Sequence, residues 1–442
     1  MKFSKFNLIV RNEKTDNIIL FNTLQGNCIE INEDIKKKIE ENDIKNINKE
    51  TIKLFIQYGI IINDNVDENR IFSYFHDREK FSSNTLNSTV LLTWACNLKC
   101  IYCFEGEKEN LISMTKENAD KYINFITQVA KAKKVDNVTI NLFGGEPMVN
   151  IEVGFYILKN IKEFCLKNNI NFISTIITNG TLLNEENLSQ LLELNCQSIQ
   201  ITLDGLQKMH DARRMDKNGN GTFDRIIDVL KLLNKKIGLL KSFKTVIRIN
   251  VDKINIDGTY HLLEYIGKNG LNLTNCTVDF GIVRGLTESC AAYSNNCFLE
   301  EEIGNILYDL WNAAEQQGFY YNIRPMRRWM YCGLYSDNQY TVTPNCEVYK
   351  CWEHTGEKEH CIGKINEYGN LTDIRFAFYD WMSHTPMDCK ECRDCVYLPT
   401  CGGGCGMVSY AKMGTYHETG CFKIKGVIEK QLIKCYERNG QL

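Results

Sequence analysis

Apolar and polar positions alternate in short blocks at the start of the chain. "FNLIV", "NIILFNT" and "CIEIN" read as strands of period two, followed by two amphipathic helical stretches, "EDIKKKIEEN" and "KETIKLFIQYG", the second stopped by Gly59. Strands followed by helices predict a small α+β unit over residues 1–85. The polar stretch "DREKFSSNTLNS" reads as a link into the strand "TVLLTWA". Beyond it the period switches repeatedly: "VTINLFG", "FISTIITNG", "SIQITLDG", "TVIRINV" and "CTVDFGIV" alternate with helical segments such as "KENADKYINFITQVAKAKK" and "TFDRIIDVLKLLNKK". This alternation predicts an α/β fold over residues 86–320, a parallel sheet or barrel whose site lies at the C-terminal ends of the strands. After a helix near 300–317 the periodicity fades. Residues 321–442 are rich in Cys and Gly, as expected of a unit folded around metal centres.

Composition narrows the classes. The 442 residues are 43% hydrophobic and 24% charged with a net charge of −3, which gives no general electrostatic reason to bind nucleic acid or an anionic membrane. With no charged-then-apolar leader and no apolar run near the 18 or so residues that span a bilayer, the expectation is a cytoplasmic protein. Twenty cysteines in such a chain point to metal rather than disulfides. Eleven of them fall between Cys332 and Cys435, and three open a motif at Cys96, Cys100 and Cys103. The remaining six, from Cys28 to Cys297, read as small buried hydrophobes.

The motif "TWACNLKCIYCFEG" offers three thiols and no fourth. A four-thiolate site is closed, whereas a site one ligand short keeps a coordination position for chemistry. The spacing also fits one apolar helix face, but the run follows a strand, contains Asn97 and ends in Gly106, so a loop around a compact cluster is the better reading. At the next strand end stands "GGEP", Gly144, Gly145, Glu146 and Pro147, in which the glycines permit close backbone approach and Glu146 can receive an ammonium group. "TNG" (Thr178–Gly180), "LDG" (Leu203–Gly205) and "HDARR" (His210–Arg214) follow at successive strand ends, where together they suggest a polar ligand above a barrel.

The cysteine triple with Tyr102 before its last thiol, followed by "GGEP", resembles the radical S-adenosylmethionine (SAM) enzymes. That resemblance implies a partial six-stranded, TIM-like (β/α)6 barrel and a [4Fe-4S] cluster held by Cys96, Cys100 and Cys103. It implies that the fourth iron binds the amino and carboxylate groups of S-adenosylmethionine, whose reductive cleavage yields a 5'-deoxyadenosyl radical. Gly144, Gly145 and Glu146, with Pro147 and Tyr102 in the same motifs, would serve the methionine end, and Thr175, Asn179 and Arg214 the ribose and carboxylate side.

In the C-terminal region "CRDCVYLPTCGGGC" spaces Cys392, Cys395, Cys401 and Cys405 by two, five and three residues, with Cys421 beyond, a pattern far too ordered for chance. Its glycines would let backbone amides approach cluster sulfurs. With Cys332 and Cys351 upstream this resembles the SPASM extension of peptide- and protein-modifying radical enzymes. The resemblance implies two auxiliary [4Fe-4S] clusters, three in all, one on Cys392, Cys395, Cys401 and Cys421 and the other on Cys332, Cys351 and Cys405. The second set lacks an assigned fourth ligand. Cys346 stands where the pattern has glycine; it either closes this cluster or leaves the fourth iron to a substrate thiolate. Trp352 replaces the acidic base of the sulfatase-maturing branch. A zinc reading of this region has its own donors in Cys346, Cys351, His354, His360 and Cys361.

The N-terminal unit is similar to the winged-helix peptide-recognition elements of ribosomal-peptide maturases, which take a leader peptide as an added strand; the alternative is a decoration that packs on the barrel. The function expected is maturation of a ribosomally made precursor peptide, with a thioether from cysteine sulfur to carbon as the leading bond, fed by an electron donor such as flavodoxin or ferredoxin. Carbon–carbon crosslinking, epimerisation and formylglycine formation use the same residues. The contrasting class is a non-catalytic iron-sulfur or zinc peptide-binding protein.

Overall fold

The computed structural model describes residues 1–106, 111–237, 240, 242–272, 275–319 and 323–439. Six strands, Thr85–Leu91, Asn137–Phe143, Asn171–Thr178, Cys196–Thr202, Lys244–Val251 and Cys276–Ile282, lie parallel and side by side in chain order. The first of them pairs on its outer side with Gln339–Val342 rather than with the sixth, so the barrel is partial, as expected.

The reason these runs fold this way is visible in one strand. In Asn137–Phe143 the side chains of Val138, Ile140 and Leu142 are fully buried, while Thr139 and Asn141 alternate with them and are only half-buried. The apolar face meets helices such as Lys116–Lys133, which buries Ala119, Tyr122, Phe125, Ile126 and Ala130 along one side. Each large apolar side chain so buried contributes about 1.5–3 kcal/mol. Thr115 caps that helix by accepting from the Asn118 amide at 3.2 Å, and Lys134 ends it in the left-handed region at φ 50°. The opposite, more polar face of the sheet is left for a ligand.

Four strands and one helix escaped the pattern. Gln339–Val342, Glu347–Tyr349, Gly363–Ile365 and Leu371–Thr372 extend the barrel sheet to ten strands, so the sheet runs on past residue 320 into the cysteine-rich region. The segment read as a polar link is partly helical: Glu68–Phe81 forms a helix capped by Asp67. Its buried stripe is Glu68, Phe72, His76 and Lys80, mostly ionisable and so invisible to a search for apolar spacing. Each polar member has a partner. Glu68 accepts from the Lys5 amide at 3.0 Å, His76 Nδ1 lies 2.7 Å from the Trp329 carbonyl, and Lys80 Nζ donates to the His384 carbonyl at 2.7 Å.

The N-terminal strands Asn7–Arg11, Ile18–Asn22 and Asn27–Ile31 form an antiparallel sheet, as expected. Ile18, Leu20 and Ile31 pack on the two following helices, with Phe55. Leu8, Val10, Ile19 and Phe21 pack on the opposite side against Cys401, Ile424, Ile428 and Leu432. On this face the unit is fastened to the cysteine-rich region.

Candidate functional site

The end of the first barrel strand runs into the three-thiol loop, and the second strand's glycines fasten it there. Gly145 donates its amide to the Thr93 carbonyl and Glu146 to the Ala95 carbonyl, both at 3.0 Å. A Cβ at Gly145 would lie 2.6 Å from the Trp94 carbonyl oxygen and one at Gly144 2.4 Å from that of Thr93. The close approach that the glycines permit is thus to the cysteine loop itself.

Glu146 is buried, with its carboxylate taken up by the scaffold. Oε1 accepts from Thr178 Oγ1 at 2.6 Å and from the Met148 amide at 3.0 Å, and Oε2 accepts from the Asn179 amide at 2.7 Å. Burial pushes its carboxyl upward in pKa and these donors hold it down. It ties the second strand end to the third. Asn179 in turn donates Nδ2 to Asn97 Oδ1 at 2.8 Å and approaches Cys96 Sγ at 3.9 Å. Thr175, three residues back from the strand end, donates to Asn141 Oδ1 at 2.9 Å between neighbouring strands. Thr178, at the end itself, occupies the mouth.

The short strand Leu98–Cys100 pairs antiparallel with Arg214–Asp216, setting Arg214 opposite Cys100. Arg214 Nη1 donates to Tyr102 Oη at 2.7 Å, Tyr102 donates to Asp204, and Asn250 Nδ2 adds a bond to the same phenol oxygen at 3.1 Å. Beneath them Arg213 lies over the Tyr102 ring and pairs through both terminal nitrogens with Asp252, at 3.1 and 2.8 Å; Tyr293 also donates to Asp252 at 2.8 Å. The reading from sequence found Tyr102 and Arg214 but missed Asn250, Asp252 and Tyr293. The available signal was the polar pair Asn250 and Asp252 at the end of "TVIRINVD".

These residues suit a thiolate-bound cluster and an amino-acid cosubstrate. Burial pushes the Cys96 thiol up to about 12 and also raises Cys100, so three thiolates here need a cationic partner. The Leu98 amide points at Cys96 Sγ from 3.4 Å. Arg214 Nε is buried and has no hydrogen-bond partner, a donor available to a carboxylate.

The C-terminal thiols divide into two groups. Cys392, Cys395, Cys401 and Cys421 line one cavity of about 170 Å³, far above the roughly 10–15 Å³ that one water requires. The Gly403 and Gly404 amides donate to Cys401, and the Cys405 amide donates to the Gly420 carbonyl at 2.8 Å, which brings Cys421 alongside. Three successive glycines, 402 to 404, take φ of 75°, 102° and 86° to make this turn. Cys332, Cys351 and Cys405 act electrostatically on one another as a second group, beside Arg284, whose Nη1 lies 3.8 Å from Cys405 Sγ and whose Nη2 holds Glu353 at 2.5 Å. Arg284 and Glu353 were not singled out from sequence. Cys346 is set apart. It takes φ 65° in a hairpin, packs in the barrel core and donates to the Asn118 carbonyl at 3.5 Å.

Partial barrel, thiol loop and glycine clamp together define the class, and comparison agrees: residues 90–275 match the Radical SAM superfamily. The chain carries a radical SAM domain, and the enzymes it is similar to modify peptides or proteins. Its relatives include the cysteine-type anaerobic sulfatase-maturating enzyme of Clostridium novyi, 26% identical over 77% of this chain and 93% of that one. Another is the radical SAM cyclopropyl synthase TigE of Paramaledivibacter caminithermalis, 22% identical over 96% and 94%. Among solved structures, native anSMEcpe with bound AdoMet shares the fold at a TM-score of 0.60 and 16% identity, covering 79% of this chain and 98% of that one. Streptococcus suis SuiB bound to its precursor peptide SuiA does so at 0.56 and 17%, covering 95% and 98%. No helix among the described residues is long and apolar enough to cross a membrane.

Proposed function

We propose that the chain matures a ribosomally made precursor peptide by joining a cysteine sulfur to a carbon of another residue. The observation that carries this reading is the second thiol group: Cys332, Cys351 and Cys405 gather beside Arg284, while Cys346, the candidate fourth ligand, turns its thiol to a backbone carbonyl. A cluster held by three cysteines keeps one iron for a substrate thiolate. Arg284 is placed to hold negative charge there, and Glu353, already its partner, is a nearby base. Trp352 leaves no acid directly after Cys351, which counts against formylglycine formation although sulfatase-maturating enzymes are among the relatives.

In this reading Cys96, Cys100 and Cys103 hold the radical cluster, and Cys392, Cys395, Cys401 and Cys421 hold a closed one, giving three with the Cys332 set. When loaded, the first cluster and S-adenosylmethionine would supply a carbon radical that takes one hydrogen atom from the acceptor residue, while the thiol proton would leave to a base such as Glu353 and the remaining electron would pass to an auxiliary cluster. The chain's residues do the positioning. Gly144, Gly145 and Glu146 fix the thiol loop, Asn179 and Tyr102 line its flank, and Arg214 offers its Nε to the cosubstrate carboxylate. The edge strand Asn27–Ile31 is available for a leader peptide to pair with, and SuiB, which shares the fold over most of the chain, has been solved with its precursor peptide.

The test uses reconstituted full chain, S-adenosylmethionine, a low-potential reductant and a Cys-containing precursor peptide, read by mass spectrometry. Thioether formation removes two hydrogens from the peptide and blocks one thiol from alkylation. Turnover of S-adenosylmethionine with every peptide thiol still alkylated would end the thioether reading while leaving the enzyme class intact.

A further inference from the structure

Three residues beyond Cys351 lies a cluster that the proposed chemistry does not use. The segment "HTGEKEH" carries His354 and His360 on two short turns, Trp352–His354 and Lys358–His360, with Glu357 between them, and Gly356 at φ 93° lets the chain double back there. The two imidazoles then meet with ring centroids 3.8 Å apart and their planes tilted by 58°. A ring nitrogen of each and a carboxylate oxygen of Glu357 lie within 4.8 Å of one another.

The hydrogen bonds around the rings set the lone pairs. Tyr416 Oη lies 3.1 Å from His354 Nδ1 and 2.6 Å from His360 Nδ1. A phenol oxygen can accept from both Nδ1–H groups, and in that tautomer both Nε2 lone pairs would be open to a metal. His360 Nε2 lies 3.2 Å from Glu357 and 3.3 Å from Glu359. His354 Nε2 is different: the residue is 2% exposed and this nitrogen has no partner. Leaving such a group unsatisfied is costly, so a ligand there is favoured. Next to the rings is a cavity of about 10 Å³, room for a single water or ion, lined by Lys350, Cys351, His354, His360, Trp381 and Tyr416. Lys350 Nζ does not compete for it as a free cation, since it donates to the Ser336 and Gln339 carbonyls at 2.6 and 2.7 Å.

We propose that His354, Glu357 and His360 form a mononuclear site for a divalent transition metal, zinc in the first place, separate from the cysteine-bound centres. Two imidazoles and a carboxylate are a donor set that suits zinc, with the adjoining cavity taking a water as fourth ligand. Tyr416 holds both rings from behind. The metal would close the turn after Cys351 on itself, and the Tyr416 hydrogen bonds to both rings join that turn to the segment around Tyr416. The site is independent of the peptide chemistry proposed above.

The probe is zinc itself. Full-length, iron-loaded protein is incubated with one equivalent of Zn²⁺, gel-filtered and assayed for zinc and iron per chain, followed by zinc-edge X-ray absorption. The wild type should keep about one zinc, with nitrogen and oxygen neighbours at about 2.0–2.1 Å and no sulfur at about 2.3 Å. His354→Gln/His360→Gln should lose at least five-fold of the zinc with iron unchanged. Glu357→Gln, at a half-exposed side chain whose change leaves both rings in place, should weaken retention several-fold and decides the matter should the double variant fold poorly. No retained zinc in the wild type, sulfur in the first shell, or full retention by Glu357→Gln would overturn the proposal.

Discussion

The thiol group at the barrel mouth and the quartet in the C-terminal cavity are made from the same side chain and differ in number and enclosure. Cys96 and Cys100 are half-buried and Cys103 is exposed on a loop held by strand ends, with Asn179 and Arg214 beside them. Cys392, Cys395, Cys401 and Cys421 close around one cavity, with glycine amides aimed at Cys401. Count and access together decide what a cluster can do: four protein ligands leave the metal nothing to bind, whereas three at an open mouth leave one position for a cosubstrate. The Cys332, Cys351 and Cys405 group resembles the mouth in number and the cavity in burial, which is why its role turns on one further residue, Cys346.

The widest separation between the two centres should come from removing the first. Cys96→Ala/Cys100→Ala/Cys103→Ala is expected to abolish production of 5'-deoxyadenosine while iron falls from about twelve to about eight per chain; iron and sulfide analysis with product chromatography checks both. Cys401→Ala should do the reverse. It removes a cavity ligand that also packs against the N-terminal sheet, so the midpoint of thermal unfolding should drop by roughly 5 °C or more, read by calorimetry, with the mouth cluster still loaded.

Glu146→Gln comes next, because it places a donor group against the Asn179 and Met148 amides and the Thr178 hydroxyl. We expect a stability loss of about 1–3 kcal/mol and about a ten-fold or larger fall in S-adenosylmethionine cleavage, measured by denaturant titration and steady-state rates. The smallest effect should be that of Cys346→Ser, with iron per chain unchanged and stability lowered by about 1 kcal/mol. Loss of iron in that variant would make Cys346 a ligand and remove the open position from the second group.

The thiol spacings and the six strands with their helices were legible because apolar period and cysteine interval are local properties. Less legible was the helix Glu68–Phe81, since its buried stripe is satisfied by distant carbonyls at Trp329 and His384 that no window of sequence contains. That Thr178, at the strand end, reaches Glu146 while Thr175 bonds Asn141 of the neighbouring strand follows from sheet register, which the local sequence does not state. The two C-terminal groups are likewise interleaved in the sequence, with Cys405 following Cys401 by four residues yet belonging to the other set.

By itself the sequence determined the class of chemistry: three thiols in one loop, a glycine-rich turn at the next strand end and a cysteine-dense tail are enough, because ligand type and local spacing fix what a loop can hold. The tertiary structure decided which residues share a site. Arg214 meets Tyr102, Arg284 meets Cys405, and the Tyr416 hydroxyl meets two histidines, across separations of 112, 121 and at least 56 positions. Such meetings depend on how strands and turns pack, and packing energy is summed over the whole core rather than written in any one segment.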